Sequence, residues 1–265
     1  MRVILTRPQR EAARWTLQLR ERGFSVESLP LIDIAAAPDD APLQAAWRDL
    51  AAYSAVMFVS RSAVEHFFAQ RPADMAAPWP SGKLRPRAWA PGPGTRKALL
   101  AEGVPATDVD APAAEAPQFD SEALWQQVAG QPRSGSRVLL VRGAAAADAG
   151  AEGAGTGRDW LSARLVAAGA SVEPICAYVR RVPVLDASQA ALAAAAALDG
   201  SVWIFSSSEA AANLQRLLPG QRWSGARAVA THPRIALTLE AAGFGVVCRS
   251  RPAESDIVAA LESFQ

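Results

Sequence analysis

An unbroken apolar run, Val56-Met57-Phe58-Val59, passes through the turn Ser60-Arg61-Ser62 into a segment, 62–70, whose apolar residues have helical spacing. Consecutive apolar residues are typical of a strand that is covered on both faces, as in a parallel sheet. A strand that leads at once into a helix is the first part of a β–α–β unit. This segment therefore predicts an α/β protein built on parallel sheets.

The same alternation of strands and helices extends along the chain in both directions. We predict strands at 3–6, 25–29, 55–59, 87–90, 137–141, 202–205 and 226–230, and helices at 9–22, 62–70, 95–102, 159–168, 209–218 and 234–242. Gly23 follows the first helix, at a position where glycine commonly ends a helix. The Gly- and Ala-rich stretch 143–157 fits neither pattern and is predicted to be a flexible loop.

The second half of the chain resembles the first at an offset of about 140 residues. The recurring pairs are Val56-Met57-Phe58-Val59-Ser60 with Val202-Trp203-Ile204-Phe205-Ser206, Arg2-Val3-Ile4-Leu5 with Arg137-Val138-Leu139-Leu140, and Gly23-Phe24-Ser25-Val26 with Gly169-Ala170-Ser171-Val172. Duplication of one α/β domain explains an offset that stays nearly constant while loop lengths vary. The alternative is a chance recurrence of strand–turn–helix units, which look alike in many proteins.

Proline marks an extended segment at the same point of both halves. One segment runs from Pro30 to Pro38 and the other from Pro174 to Pro183. We predict that the two segments pair as a two-stranded bridge between the domains.

Charge and composition exclude several classes of protein. Lys and Arg number 27 against 26 Asp and Glu, so the chain lacks the basic surplus that binding to nucleic acid or to an anionic membrane requires. The longest wholly apolar run, 190–198, is far shorter than the roughly 20 residues that span a bilayer. Two cysteines cannot form a disulfide framework, and the first residues lack the apolar run of a signal peptide. We therefore expect a soluble, cytoplasmic protein.

The sequence offers few groups for metal or nucleotide chemistry. The two histidines, His66 and His232, are far apart in the sequence and have no neighbouring ligands, so no metal site is expected. His66 falls within a predicted helix and is interpreted as an ordinary helix residue. No phosphate-binding loop or dinucleotide fingerprint is present in the sequence.

Small hydroxyl residues or glycine recur between a strand end and a helix start. The turns are Thr6-Arg7-Pro8, Ser60-Arg61-Ser62, Gly92-Pro93-Gly94-Thr95, Ser206-Ser207-Ser208 and Thr231-His232-Pro233. Such residues cap helices, which by itself explains their presence. The functional interpretation is that backbone N–H groups at several helix starts converge on one cleft and hold a polyanion. Ligands of open α/β sheets bind at this edge, outside the carboxyl ends of the strands.

Arginines near these turns are candidates for direct contacts with carboxylates. They are Arg7, Arg61, Arg142 and Arg158. Each is alternatively a surface arginine with no ligand.

The order of these motifs resembles that of the uroporphyrinogen-III synthase family, over almost the whole chain. The first half contributes Val3-Ile4-Leu5-Thr6-Arg7-Pro8, Leu29-Pro30-Leu31-Ile32, Val56-Met57-Phe58-Val59-Ser60-Arg61-Ser62-Ala63-Val64, Gly92-Pro93-Gly94-Thr95 and Phe119-Asp120-Ser121-Glu122-Ala123-Leu124. The second half contributes Val138-Leu139-Leu140-Val141-Arg142-Gly143, Gly157-Arg158, Ala177-Tyr178-Val179-Arg180-Arg181, Phe205-Ser206-Ser207 and Thr231-His232-Pro233-Arg234-Ile235.

The resemblance implies two flavodoxin-like parallel-sheet domains joined by a two-stranded β bridge. Mapped onto this sequence, domain one would be discontinuous and would comprise 1–34 and 182–265. Domain two would span 38–174, and the linker strands would lie at 30–38 and 174–184.

The resemblance also implies a lyase of tetrapyrrole, porphyrin and heme biosynthesis that needs no cofactor. Its substrate would be hydroxymethylbilane, a linear tetrapyrrole with eight carboxylates, and its product uroporphyrinogen III, formed with loss of water and inversion of ring D through a spiro intermediate. Because the substrate cyclises unaided to the wrong isomer, the main task of the protein would be to hold one conformation of it. The implied enzyme is a monomer with a mobile cleft that closes on the substrate. The implied partners are this small molecule and, transiently, hydroxymethylbilane synthase.

Site residues follow from the resemblance position by position. Tyr178 matches the family's inter-domain tyrosine and would donate a proton to the departing hydroxyl group; alternatively, it only packs and caps. His232 replaces a glycine common in relatives and would add a titratable group, whereas the alanine-rich stretch after Gly143 leaves the contact from Arg158 open. The implied substrate-binding residues are Arg7, Ser60, Arg61, Ser62, Gly92, Thr95, Ser121, Arg142, Ser206, Ser207, Thr231 and His232.

Two functions of other classes fit the same residues. A non-catalytic two-domain protein that senses or clamps a small anion would share the hinge and the turns at the helix starts. A nucleotide-dependent transferase would share the α/β frame, but the sequence lacks its phosphate loop.

Overall fold

The computed structural model describes residues 1–75, 77, 79–80, 86–113, 115–145 and 158–264. The chain divides into two compact units, Met1–Asp33 with Arg181–Gln265, and Ile34–Arg180. Each unit contains one sheet whose strands alternate with helices along the chain. The predicted α/β class with two parallel sheets is therefore confirmed.

Eleven strands and ten α-helices lie in the described part of the chain. The strands are β1 (Arg2–Leu5), β2 (Ser25–Ser28), β3 (Asp33–Ala36), β4 (Ala55–Phe58), β5 (Arg87–Trp89), β6 (Val109–Asp110), β7 (Arg137–Ala145), β8 (Ser171–Arg181), β9 (Val202–Phe205), β10 (Arg227–Ala230) and β11 (Val246–Arg249). The helices are α1 (Gln9–Glu21), α2 (Ala41–Arg48), α3 (Arg61–Ala69), α4 (Pro93–Ala101), α5 (Ser121–Val128), α6 (Arg158–Ala167), α7 (Ala187–Ala196), α8 (Ser208–Leu217), α9 (Pro233–Ala241) and α10 (Glu254–Glu262).

The predicted elements are all present with ends within two residues of those observed, except for one strand end that was wrong. Strand β7 continues to Ala145, so residues 143–145 belong to the sheet and not to a flexible loop. The physical reason is pairing with β8, whose backbone provides hydrogen-bonding partners for this segment as far as Arg180. The rest of the predicted loop, 146–157, lies outside the described residues. Gly23 ends α1 as predicted, with a left-handed φ of 84° that favours glycine.

The sheet of the first unit has the strand order β2-β1-β9-β10-β11, and all its neighbouring strands are parallel. Counted along the unit's own chain, this order is 2-1-3-4-5, which is that of flavodoxin-like folds. The second sheet has the order β3-β8-β7-β4-β5-β6. If β7 and β8 are counted as the counterparts of β1 and β2, the second sheet has the same order with β3 added at one edge.

The internal repeat is visible in the register of the strands. Arg2 pairs with Ser25 in the first sheet, and Arg137 pairs with Ser171 in the second. These are the residues that the sequence comparison aligned. The chain passes from one unit to the other within β3 and again at the end of β8, and these two strands are hydrogen-bonded neighbours.

Both sheets are covered on both faces, as the unbroken apolar strands predict. In the first unit, Val202 and Ile204 pack with α1 and α10, while Trp203 and Phe205 face an aromatic group on the other side. In the second unit, alternate residues of β4 pack with α3 on one face and with α5 and α6 on the other. Burial of these apolar surfaces is the main stabilising contribution to each unit. Among the residues described, no helix combines the length and the apolar character needed to cross a bilayer.

Candidate functional site

The predicted binding turns of each unit lie together at the carboxyl edge of its own sheet. In the first unit, Thr6-Arg7, Ser206-Ser207 and Thr231-His232 follow β1, β9 and β10, which are adjacent strands. In the second unit, Ser60-Arg61-Ser62 and Gly92-Pro93-Gly94-Thr95 follow the adjacent strands β4 and β5. The carboxyl edge of a parallel sheet is where α/β folds bind ligands.

Side chains at the edge of the first unit cap the helices that begin there. Ser207 Oγ accepts the N–H of Glu209 at 3.1 Å at the start of α8. His232 Nδ1 accepts the N–H of Arg234 at 3.1 Å at the start of α9. His232 is thus the capping residue of this turn, while Thr231 is buried. The first N–H groups of a helix have no partner within the helix and are the donors that hold anions.

Arg7 is packed against α1. Its guanidinium lies 4.5 Å from the ring centroid of Trp15 and 3.2 Å from a carboxylate oxygen of Glu11. Burial lowers the pKa of Arg7, and the carboxylate of Glu11 opposes this effect. Its Nε is buried without a hydrogen-bond partner among the described residues. Arg7 therefore retains one donor that no described group uses.

In the second unit, Ser60 begins α3 and also contacts Tyr178. Ser60 Oγ accepts the N–H of Ala63 at 3.1 Å, which is a standard helix cap. The same oxygen lies 3.0 Å from Tyr178 Oη. The two residues that the sequence placed in different roles, a binding turn and a proton donor, are therefore in direct contact.

The remaining hydroxyl and charged residues of this edge are either buried or paired. Ser62 and Thr95 are buried within α3 and α4. Arg61 forms an ion pair with Glu65 at 3.2 Å, one turn further along the helix. The side chain of Arg61 is about one quarter exposed, and the carboxylate of Glu65 offsets its charge.

Gly92 and Ser121 lie beside the loop that leads into α5. A Cβ atom at Gly92 would be 3.2 Å from Cβ of Phe119, so this glycine permits a close approach. Ser121 is the first residue of α5, which Asp120 caps by accepting the N–H of Ala123 at 2.9 Å.

A pocket of about 430 Å³ opens beside this cap. The charged residues in its lining are Asp120 and Glu122, both acidic. An acidic pocket repels a polycarboxylate, so its chemistry does not suit the substrate that the sequence implies.

Tyr178 owes its orientation to a β-bulge. Strands β7 and β8 pair in step as far as Arg142, which lies opposite Cys176. The next partners are Gly143 and Tyr178, so β8 contains one extra residue, Ala177. Paired residues point to the same face of a sheet, and successive residues of one strand point to opposite faces. Without the extra residue in β8, Tyr178 would therefore point to the other face of the sheet. The bulge therefore places Tyr178 in the apolar cluster that includes the core residues of α3.

Two further residues surround the Tyr178 ring, and sequence reasoning gave neither a role. A Cβ atom at Gly143 would lie 2.3 Å from Cζ of Tyr178, so only glycine permits this approach. The imidazole of His66 on α3 stacks on the phenol, with ring centroids 5.8 Å apart and an interplanar angle of 22°. These contacts join residues distant in the sequence, and no local pattern signals them.

Arg142 does not join this group. Alternation along β7 places it on the opposite face from Gly143, and therefore from Tyr178. It makes no ion pair with any residue that the structure describes. The side chain of Arg158 lies outside the described residues. Where the chain is described, no group of three or more His, Cys, Asp or Glu side chains could hold a metal ion.

The second tyrosine, Tyr53, lies at the other end of the same sheet. It precedes β4, and its hydroxyl donates to Glu173 near the start of β8 at 2.8 Å. Burial, with this hydrogen bond, raises the pKa of Tyr53 to about 12. Tyr53 is therefore remote from the predicted binding turns and is a useful internal control for Tyr178.

Comparison with known proteins gives one family. The family model described as uroporphyrinogen-III synthase HemD matches residues 13–259. None of the curated proteins compared matches the chain.

Solved structures of this family have a similar fold. A mutant uroporphyrinogen III synthase from Thermus thermophilus aligns with a TM-score of 0.57 at 15% identity, over 100% of this chain and 97% of that one. Uroporphyrinogen-III synthetase from Helicobacter pylori aligns with a TM-score of 0.55 at 16% identity, over 100% of both chains. At these identities the structural likeness establishes the fold alone. The family model matches nearly the whole chain, and the chain therefore belongs to the uroporphyrinogen-III synthase family.

Proposed function

We propose that this chain closes hydroxymethylbilane to uroporphyrinogen III, with loss of water and inversion of ring D. The observation that carries the proposal is the family match over residues 13–259. Two features of the structure support it. Each unit presents several helix starts at the carboxyl edge of its sheet, and one of these edges holds a tyrosine hydroxyl beside a serine.

Substrate binding rests on donors to carboxylates. The substrate has eight carboxylates, and the N-terminal turns of α3, α4, α8 and α9 provide backbone N–H groups and the positive ends of helix dipoles. Buried Ser62, Thr95 and Thr231 act by shaping these turns. The proposed site residues, which bind the substrate or shape the turns that do, are Arg7, Ser60, Arg61, Ser62, Gly92, Thr95, Ser121, Arg142, Ser206, Ser207, Thr231 and His232.

Tyr178 is the proposed proton donor. Ser60 Oγ accepts the N–H of Ala63, so the serine's own hydrogen can point to Tyr178 Oη, 3.0 Å away. In that arrangement, the phenolic hydrogen is left for the substrate. The departing hydroxyl group takes this proton and leaves as water, and the proton that ring closure releases restores the phenol. Selectivity for ring D inversion then comes from the conformation in which the substrate is held.

The family match is also the basis for what we propose about the cofactor requirement, location, oligomeric state, domains and partner of the enzyme. The reaction needs no cofactor, because substrate conformation and one proton donor suffice for it. The protein acts as a cytoplasmic monomer whose domains are 1–34 with 182–265 and 38–174, linked by 30–38 and 174–184. Hydroxymethylbilane synthase, which supplies the unstable substrate, is a transient partner.

The isomer formed from hydroxymethylbilane tests the proposed function. The chain is incubated with this substrate, the product is oxidised, and the uroporphyrin I and III isomers are separated by chromatography. We expect isomer III, at a rate proportional to the concentration of protein. Isomer I alone, at the spontaneous rate, would leave the chain as a non-catalytic anion-binding protein.

The role of Tyr178 is tested with a matched tyrosine. Tyr178→Phe should lower kcat by about tenfold or more. One general acid typically contributes about 10²–10⁴-fold to the rate, and in the variant a water molecule replaces part of this contribution. Tyr53→Phe, at the other end of the sheet, should leave kcat unchanged. Equal rates for the two variants would remove Tyr178 from the mechanism while leaving the overall reaction in place.

A further inference from the structure

We propose that His66 is a positioning residue, which holds the Tyr178 ring in the orientation needed to donate its proton. The inference rests on the proposed role of Tyr178 and adds to it a residue from a different element, α3. It is carried by the stacking of the two rings, with centroids 5.8 Å apart and planes at 22°.

The hydrogen bond to Ser60 does not by itself fix the phenol. It places Oη at 3.0 Å from Ser60 Oγ, but rotation of the ring about its long axis leaves that distance unchanged. The direction of the phenolic hydrogen depends on the plane of the ring, since a phenol O–H prefers to lie in that plane. A second contact, on the face of the ring, is needed to set the plane.

His66 provides that contact. An imidazole stacked on the phenol sets the plane of its neighbour, because aromatic pairs prefer offset-stacked or edge-to-face arrangements. Gly143 leaves room for the ring on strand β7, where a Cβ atom would be 2.3 Å from Cζ. The slot of Ser60, His66 and Gly143 thus defines the position of Oη, the plane of the ring and the space that it fills.

Helix α3 couples this slot to the binding turn. Ser60 caps α3, and His66 lies further along the same helix. The other aromatic residues of this helix, Phe67 and Phe68, pack with Trp47 in the core. His66 is half-buried and is directed to the tyrosine instead, so it contributes to the site and little to the core.

Two substitutions of His66 that differ in shape separate its effect on the orientation of the Tyr178 ring from simple filling of space. His66→Phe keeps a flat ring, whereas His66→Leu fills a similar volume without one. We expect His66→Leu to lower kcat about three- to tenfold, the loss of one aromatic pair, with KM changed less than about twofold. His66→Phe should restore most of kcat. Thermal unfolding of each variant, followed by circular dichroism, shows that rates refer to folded protein.

The same variants in the Tyr178→Phe background complete the test. If His66 acts through the phenolic proton, His66→Leu should cause no further loss there. Equal kcat for His66→Leu and His66→Phe, or the same loss with and without the Tyr178 hydroxyl, would overturn the inference and leave the proposed function intact. If Tyr178→Phe alone keeps full activity, the proposed role of Tyr178 fails instead, and the inference fails with it.

Discussion

Single residues at the two ends of the second sheet have different physical environments. Tyr178 lies where β7 and β8 extend beyond β4, with its hydroxyl beside Ser60. Tyr53 lies before β4 and donates to Glu173, while Arg137 covers its ring at 4.6 Å. The sequence shows two tyrosines of equal chemistry. The sheet places one beside the turn at Ser60 and the other in a hydrogen bond with Glu173 at the opposite end.

The high pKa of Tyr53 gives a pH prediction. In the Tyr178→Phe variant, Tyr53 is the remaining tyrosine, so its ionisation can be followed by ultraviolet absorbance in rapid pH-jump experiments. We expect a midpoint at about 12 in the folded protein, against the ordinary value of 10.0.

The sign of the stability effect follows from this difference. Because the folded state holds the phenolic proton more tightly, the contribution of Tyr53 is fully present below pH 10 and is lost as the pH rises towards 12. A midpoint at 10 in the folded protein would contradict the observed burial and hydrogen bond.

Gly143 makes a second prediction at this scale. In Gly143→Ala, the new methyl group would meet the Tyr178 ring at 2.3 Å, so the ring must leave its slot. We expect kcat to fall to about the level of Tyr178→Phe, and stability to fall by about 1–3 kcal/mol from overpacking. Gly130→Ala, where the added atom meets nothing within 4 Å, should change neither. Full activity in Gly143→Ala would show that the tyrosine does not need this position.

At the level of elements, the helix starts and the bulge in β8 decide what the edge of the sheet presents. Ser60 and Ser207 both cap a helix with a hydroxyl oxygen, at equivalent points of the two units. The sequence comparison paired Ser60 with Ser206 and was wrong by one residue: Val202 pairs with Val3 as Ala55 pairs with Val138, so Val202 corresponds to Ala55 and not to Val56. The oxygen of Ser60 also contacts Tyr178. The capping serine therefore stabilises a helix start in both units, and in the second unit it also contacts Tyr178.

Substitution of the two capping serines should separate helix capping from the contact with Tyr178. Ser60→Ala and Ser207→Ala should each lower the free energy of unfolding by about 1 kcal/mol, the typical cost of a lost N-cap, as measured in urea. Ser60→Thr keeps the acceptor and should retain the stability and most of the activity that Ser60→Ala loses. Unfolding midpoints of both alanine variants equal to that of the parent would show that neither hydroxyl caps its helix.

At the level of the whole molecule, the order of segments along the chain differs from the order in the sheets. Every strand of the six-stranded sheet lies between Asp33 and Arg181, whereas the first unit is assembled from the two ends of the chain. The second unit is thus continuous in sequence and contains its own apolar clusters on both faces of the sheet.

This arrangement predicts that a fragment spanning 33–181 folds by itself. It should show a single cooperative urea transition in circular dichroism and tryptophan fluorescence. A fragment spanning 1–33, with two strands and one helix, should remain unfolded, because two strands alone bury too little surface. Absence of a cooperative transition in 33–181 would mean that its sheet requires the rest of the chain.

Local patterns predicted most of the elements and failed where contacts are tertiary. The apolar runs of β4 and β9 gave correct strands because such runs are visible in a few residues. Helices α2, α5, α7 and α10 were not predicted. Seven of the ten residues of α7 are alanine, so this helix has little apolar periodicity. The end of β7 was predicted as a loop because its small residues have weak strand preference, and only pairing with β8 extends it.

The turns at the helix starts were predictable for the same reason, and the surroundings of Tyr178 were not. Hydroxyl residues between a strand and a helix form a local signal, and the parallel topology brings them to one edge of each sheet. The contacts of Tyr178 with Ser60, His66 and Gly143 join three elements, and their geometry depends on one extra residue in β8.

The order of apolar runs and turns thus determined the α/β class, the repeat and the motifs that identify the family, since these depend on neighbours along the chain. Tertiary structure alone decided which side of the sheet receives the tyrosine ring and what surrounds it. The physical reason is that a shift of one residue in strand pairing reverses the direction of a side chain, and pairing is settled by the whole sheet.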